Sequence, residues 1–119
     1  MSALNAEDAV VAYLCGSLPC EVFREVPPEA GRPDEFVTVE RTGGDMDRFS
    51  DSATFAAQAW AGSRGRAKAI SYEVADAAAH AVERMDGCFG ASVTSLNNFT
   101  DQHSGKPRYQ VVFEINWQG

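Results

Sequence analysis

The sequence has 119 residues, 45% of them hydrophobic, which suits one compact domain with a modest core. Its 17 acidic and 10 basic residues give a net charge of -7, spread without a long run of either sign. That balance excludes a free-standing nucleic-acid binder, which needs a basic footprint to displace counterions, and favours partners that present no bare phosphate.

Asn5, Ala6, Glu7 and Asp8 predict a helix start: an Asx cap, acids where the helix dipole favours them, then apolar Val10, Val11 and Leu14 at helical spacing, with Gly16 as the stop. The apolar run Ala9 to Cys15 is far shorter than the roughly 20 residues needed to cross a bilayer, so no membrane partner is expected. Acids precede it where a secretory signal carries positive charge, which predicts an intracellular protein. "CEVFREV" (Cys20 to Val26) has strand composition and is broken by the proline-rich loop "VPPEAGRPDE". "FVTVERT" (Phe36 to Thr42) predicts a second strand, ended by Gly43-Gly44 and the acidic turn "GGDMDR".

Asp51 to Ala61 alternates Ala53, Phe55, Ala57, Ala59 and Ala61 against Thr54, Ala56, Gln58 and Trp60, a third strand, although its alanines also suit a helix. Ser63 is placed to cap a helix of about twenty residues, Arg64 to Met85, whose apolar residues recur at three and four. Asp86-Gly87 ends it. Phe89 to Phe99 predicts a fourth strand, "TDQHSGKP" a loop, and Arg108 to Gln118 a half-buried strand with Tyr109, Val111, Phe113, Ile115 and Trp117 on one face. The order α-β-β-β-α-β-β predicts an α+β fold: an antiparallel or mixed sheet of about five strands with two helices packed on one face, in a single domain spanning 1–119.

Chemistry is sought first in "WAGSRGRAKAI" (Trp60 to Ile70), a strand, glycine loop and helix in the order that cradles phosphate at a helix N-terminus. Only Gly62-x-x-Gly65 is present, without the Lys-Ser/Thr of a P-loop or the three glycines of a dinucleotide fingerprint. An N-cap turn with solvated Arg64 and Arg66 is the plainer reading. Cys15, Cys20 and Cys88 are odd in number and lack paired ligand spacing, so they are read as free structural thiols and no metal is expected. Asp45 and Asp47 lack the rest of a calcium loop and read as a solvated turn. His80 lies beside Asp76 and Glu83 on the polar side of the long helix. His103 shares a loop with Asp101, Ser104 and Lys106, too close in sequence for triad geometry. With no catalytic constellation, neither enzyme activity nor a cofactor is expected. Trp60 and Trp117 are expected to close the core rather than to stand at an interface.

Arg41-Thr42-Gly43-Gly44 at a strand end, Asp47-Arg48-Phe49-Ser50-Asp51, Gln58-Ala59-Trp60-Ala61, a Ser/Arg-initiated alanine-rich helix, Asn98-Phe99 with Asp101, and Pro107-Arg108-Tyr109-Gln110 occur in one order. Together they resemble the tail terminator, or tail-completion, proteins of long-tailed bacteriophages and prophages, over nearly the whole chain. The resemblance implies a subunit that closes as a ring, commonly a hexamer, on the finished tail tube. There it would end polymerisation and offer a surface to the head connector. It further implies the major tail tube protein and a head-completion protein as partners, assembly in the bacterial cytoplasm, and a place at the head-proximal end of the virion tail.

The long loops Pro27 to Asp34, Gly43 to Ser50 and Thr100 to Pro107 exceed the usual roughly four to six residues and are candidate contact regions. The candidate ring or tail contacts are Arg41, Asp45, Asp47, Arg48, Phe49, Arg64, Arg66, His103 and Lys106. DNA would pass through such a ring without specific binding. Two other readings use the same composition: another head-tail connector or adaptor of a prophage, and a small-molecule-binding α+β domain.

Overall fold

The computed structural model describes residues 6–46 and 50–118. Along the chain run α1 (Ala6–Ser17), β1 (Glu21–Phe23), β2 (Phe36–Met46), β3 (Ser50–Trp60), α2 (Arg64–Ala79), α3 (Ala81–Arg84), β4 (Cys88–Asn98) and β5 (Arg108–Gln118). The strands form one sheet ordered β1-β2-β3-β5-β4. Among the described residues only β1 and β2 pair in parallel and the other neighbours are antiparallel, so the sheet is mixed, as expected of the α+β fold.

Alternation decides which face is buried. Ala53, Phe55, Ala57 and Ala59 of β3 and Val111, Phe113, Ile115 and Trp117 of β5 point to the helices and are almost fully buried. Ala67, Ile70, Val74, Ala77 and Ala78 of α2 meet them, and Ala6, Val10 and Leu14 of α1 close the same core over Val37 and Val39 of β2. The alanines of β3 let α2 lie close, and the aromatic rings fill the space beside them. Phe55 stacks on Phe113 at 5.4 Å and meets Trp117 edge-on at 6.4 Å. The two helices are tied by the Tyr13 hydroxyl, which donates to the Ala77 carbonyl at 2.6 Å.

Several boundaries differ from the sequence reading. α1 runs past Gly16 to Ser17. The strand expected over Cys20 to Val26 is confined to Glu21–Phe23, which pairs with Phe36, Val37 and Thr38, and Arg24 turns away to pair with Asp8. The helix expected to reach Met85 is interrupted at His80. There the backbone N–H is shared between the Asp76 and Ala77 carbonyls, and the ring Nδ1 also lies 2.8 Å from the Asp76 carbonyl.

The largest difference is at Gly43-Gly44, which does not end β2. The strand passes a bulge between Arg41 and Gly43 and stays in register with β3 to Met46. Gly44 makes this possible: its φ is +123°, and a Cβ there would run into the Ser52 carbonyl, so only glycine lets the two backbones approach. The long acidic loop expected from Gly43 to Ser50 is therefore mostly hairpin.

Candidate functional site

The helices leave the other face of the sheet uncovered, and that face divides into a polar middle and an aromatic end. In the middle, Thr54, Ala56 and Gln58 of β3 stand opposite Glu114, Val112 and Gln110 of β5. All six are half-buried, and the Gln58 amide donates to the Gln110 side-chain oxygen at 3.1 Å. Beside Gln58 and Ala56, Thr38, Glu40 and the Arg24–Val26 segment outline a shallow depression of about 130 Å³. Its walls mix one cation, two carboxylates and neutral groups, with no buried titratable cluster.

At the aromatic end, Phe23 meets Phe36 edge-on at 6.0 Å, and Phe36 stacks on Trp60 at 5.6 Å, its partner in the strand ladder. The Trp60 indole N–H donates to the Thr38 hydroxyl at 3.3 Å, which allows a tryptophan to be buried on the face without helices. The Arg108 guanidinium lies 4.7 Å from the Trp60 ring centre and 4.5 Å from that of Phe99, while its Nε donates to the Phe99 carbonyl at 2.7 Å. A delocalised cation between two ring faces is held by their quadrupoles as well as by that hydrogen bond. Lys106 extends the series, with Nζ 5.8 Å from the Phe36 ring centre.

The loop joining β4 to β5 is ordered by its own side chains. Asn98 Oδ1 accepts from the Thr100 N–H and hydroxyl at 3.1 and 2.8 Å. Asp101 accepts from the Ser104 hydroxyl at 2.7 Å and the His103 N–H at 3.3 Å, and Gly105, with φ +70°, returns its N–H to the Asp101 carbonyl at 2.8 Å. The Ser104 hydrogen bond, then that of the His103 N–H, hold the Asp101 carboxyl below its usual range. Asn98, Asp101 and Arg108, which carry part of the sequence resemblance, thus build a fixed hairpin loop.

At the start of α2, Ser63 caps as its position predicts, its hydroxyl accepting from the Arg66 N–H at 3.2 Å. Arg64 is exposed, but Arg66 is engaged: its Nε and a terminal nitrogen clasp the two Glu35 oxygens at 2.7 and 2.8 Å. This fork is occupied by the chain itself, which removes the phosphate-loop reading of its clearest ligand. The hydrogen bond from Arg66, followed by its charge, holds the Glu35 carboxyl below the ordinary carboxylate range and pushes the guanidinium up.

The sign of the linkage follows. A depressed folded-state pKa stabilises the protein above the unfolded value and ceases to do so as pH falls through the folded one. Glu35→Gln is therefore expected to lower the melting temperature slightly at neutral pH, with a difference from wild type that closes as the pH drops below about 4, since the unfolded carboxyl titrates near 4.3. Parallel thermal melts from pH 7 to pH 3 check this, and added salt is expected to shrink the neutral-pH difference because the pair is at the surface.

The candidate contact residues separate into two groups rather than one site. Arg64, Arg66, His103 and Lys106 lie at the Trp60 end, where the Ala61 N–H reaches the Pro107 carbonyl at 3.4 Å. Arg41 and Asp45 lie toward the β2–β3 hairpin tip, Asp45 opposite Ser52. Asp47, Arg48 and Phe49 fall outside the described residues. Arg41 is a fastener of the bulge: its Nε donates to the Gly43 carbonyl at 3.2 Å and a terminal nitrogen reaches the Ser52 carbonyl at 3.5 Å. Its own N–H donates to Glu7 of α1 at 3.0 Å.

No protein-family model matches the chain, and no curated protein does. Among solved structures, a chain from the virion of a native gene transfer agent particle matches with a TM-score of 0.59 and 20% identity, over 98% of this chain and 89% of that one. The two chains share a fold. The correspondence is one of backbone architecture.

The cysteines are free. Cys88 is buried, Cys20 half-buried and Cys15 exposed. Burial pushes the Cys20 and Cys88 thiols up, away from nucleophilic character. Among the described residues no group of three or more His, Cys, Asp or Glu side chains is placed to hold a metal ion, and no helix is long and apolar enough to cross a membrane. Both tryptophans are buried, but only Trp117 closes the core as expected; Trp60 is buried on the opposite face of the sheet. What sequence reasoning missed is the Arg108 sandwich, because Trp60 and Phe99, its two rings, are distant from one another in the chain.

Proposed function

We propose that the chain is a structural subunit of a phage-like virion, without catalytic activity, and that its place is the head-proximal end of a tail. There it caps the tail tube as a ring, ends tube polymerisation and presents a surface for head joining. The observation that carries this reading is the likeness of fold, over almost the whole chain, to a chain of a gene transfer agent virion. The order of motifs that resembles tail terminators narrows it from virion subunit to terminator.

The geometry agrees with a two-sided connector. The molecule measures 43 × 24 × 24 Å, and its candidate contacts fall at two ends of the sheet. One end would meet the major tail tube protein and the other the head connector. Six copies are the expected ring. If Asp45 and Asp47 turn toward the lumen, their charge keeps DNA phosphates from adhering as the genome slides past.

The test is to add the purified protein to polymerising tail tube subunits of the same phage or prophage and measure tube lengths by electron microscopy. Tubes of limited length with a ring density on one end are expected. Unchanged lengths and bare ends would sink the terminator reading, and density only on the head portal would favour the adaptor reading instead.

A further inference from the structure

The two outer edges of the sheet are treated very differently by the sequence. On the β1 side, the outermost strand is three residues long, with Glu21, Arg24 and Glu25 in and beside it and Pro27-Pro28 following. Short, charged and proline-flanked edges resist pairing with other chains. Past β1, Glu7 takes the Arg41 N–H. On the other side, β4 is a full eleven residues long and pairs only with β5. From Gly87 to Thr100 it carries no charged residue and no proline, the longest uncharged run in a chain of net charge -7. Exposed Phe89 and Phe99 stand at its two ends. Two bulges interrupt the strand and leave Gly90–Val93 as a regular segment between them.

The register identifies a counterpart. Gly44 pairs with Ala53, Ala53 with Ile115, and Ile115 with Ala91. Gly43 leads in the same way through Thr54 and Glu114 to Ser92. Thr42–Met46, which extends beyond the reach of β1, therefore overlaps Gly90–Val93 on opposite edges of one sheet, with Asp45 level with Gly90 and Met46 with Cys88. Gly90–Ser92 and Thr42–Gly44 are small residues, and a Cβ added at Gly43 would meet nothing within 4 Å. The directions also suit each other, since β4 and β2 run antiparallel across the intervening strands.

We propose that copies of this chain join head to tail by strand addition, with the β4 edge at Gly90–Val93 of one copy running antiparallel to Thr42–Met46 of the next. The sheet then continues from subunit to subunit. Between two acidic copies the uncharged edge is where contact meets least repulsion, and unsatisfied edge N–H and C=O groups gain partners. A contact between unlike patches is what a closed ring requires. This inference rests on the ring reading above and specifies its contact.

Cysteine pairs test it. In full-length protein with Cys15→Ser and Cys20→Ser, one variant carries Ser92→Cys and another Gly43→Cys; both positions are exposed, and unchanged thermal melts confirm folding. Under mild oxidation, at concentrations where rings form by mass measurement and microscopy, or on tail tubes, the mixture of the two is expected to yield cross-linked dimers. Neither variant alone should do so. Dimers from Ser92→Cys alone would reveal a two-fold β4 pair and overturn the proposal. Rings that form without cross-linking would overturn the edge contact and leave the ring standing. The absence of both rings and cross-links, in solution and on tubes, would remove the two together.

Discussion

Phe55→Ala is expected to destabilise the protein by about 3–5 kcal/mol, the usual cost of deleting a buried phenylalanine ring. Phe55 is fully buried at the centre of β3, against Phe113 on the neighbouring strand and Trp117 beyond it. Its removal strips the stacked partner from one ring and the edge contact from another, in a core whose other wall is rich in alanine, which cannot expand to fill the space. Against the roughly 5–15 kcal/mol typical of a domain, this loss is a large fraction of the total. Urea titration followed by tryptophan fluorescence measures the effect as an earlier midpoint. A loss below about 1 kcal/mol would mean that the aromatic cluster is not packed as described.

Gly44→Ala is expected to cost about 2–4 kcal/mol, combining a backbone conformation that L-residues rarely adopt with a collision against backbone. The Ser52 carbonyl, into which the new Cβ would point, cannot rotate away without breaking the β2–β3 ladder. The neighbouring glycine is the control. Gly43 has ordinary φ and open space around it, so Gly43→Ala should stay within about 0.5 kcal/mol of wild type. Thermal or urea unfolding of the pair measures the contrast directly; equal effects at the two positions would refute the account of the hairpin.

The contrast between these glycines also explains what was legible in the sequence. β5 and β3 could be read because a half-buried strand writes its environment into period-two alternation, and Ser63 because a cap acts locally. Gly43-Gly44 misled because a glycine pair before acids has the composition of a turn, whereas the deciding fact is how near Ser52 comes from the other strand. β1 is shorter than its composition predicts because composition does not reveal that Arg24 leaves the ladder for Asp8. The helix break at His80 depends on a ring returning to a carbonyl of its own helix, which spacing alone does not show.

For the candidate site the division is similar. The Asn98 to Arg108 loop is built from near neighbours and its residues were singled out. The placement of Arg108 between Trp60 and Phe99 joins positions distant in the chain, so no local pattern announces it. Arg41 and Arg66 were chosen as cations available for contacts, but charge in the sequence does not reveal that Arg66 is clasped by Glu35 or that Arg41 fastens the bulge.

The long dimension of the molecule has a mechanical consequence. Four strands of eleven residues, each roughly 36 Å at about 3.3 Å per residue, match the 43 Å axis closely enough that they must run near it. Tension applied between the two ends would load the ladder hydrogen bonds in shear, many at once, whereas tension across the sheet would peel an outer strand one bond at a time. The domain is built to be stiff in the direction that joins its ends and weakest at its outer strands, β1 with three paired residues before β4 with nine.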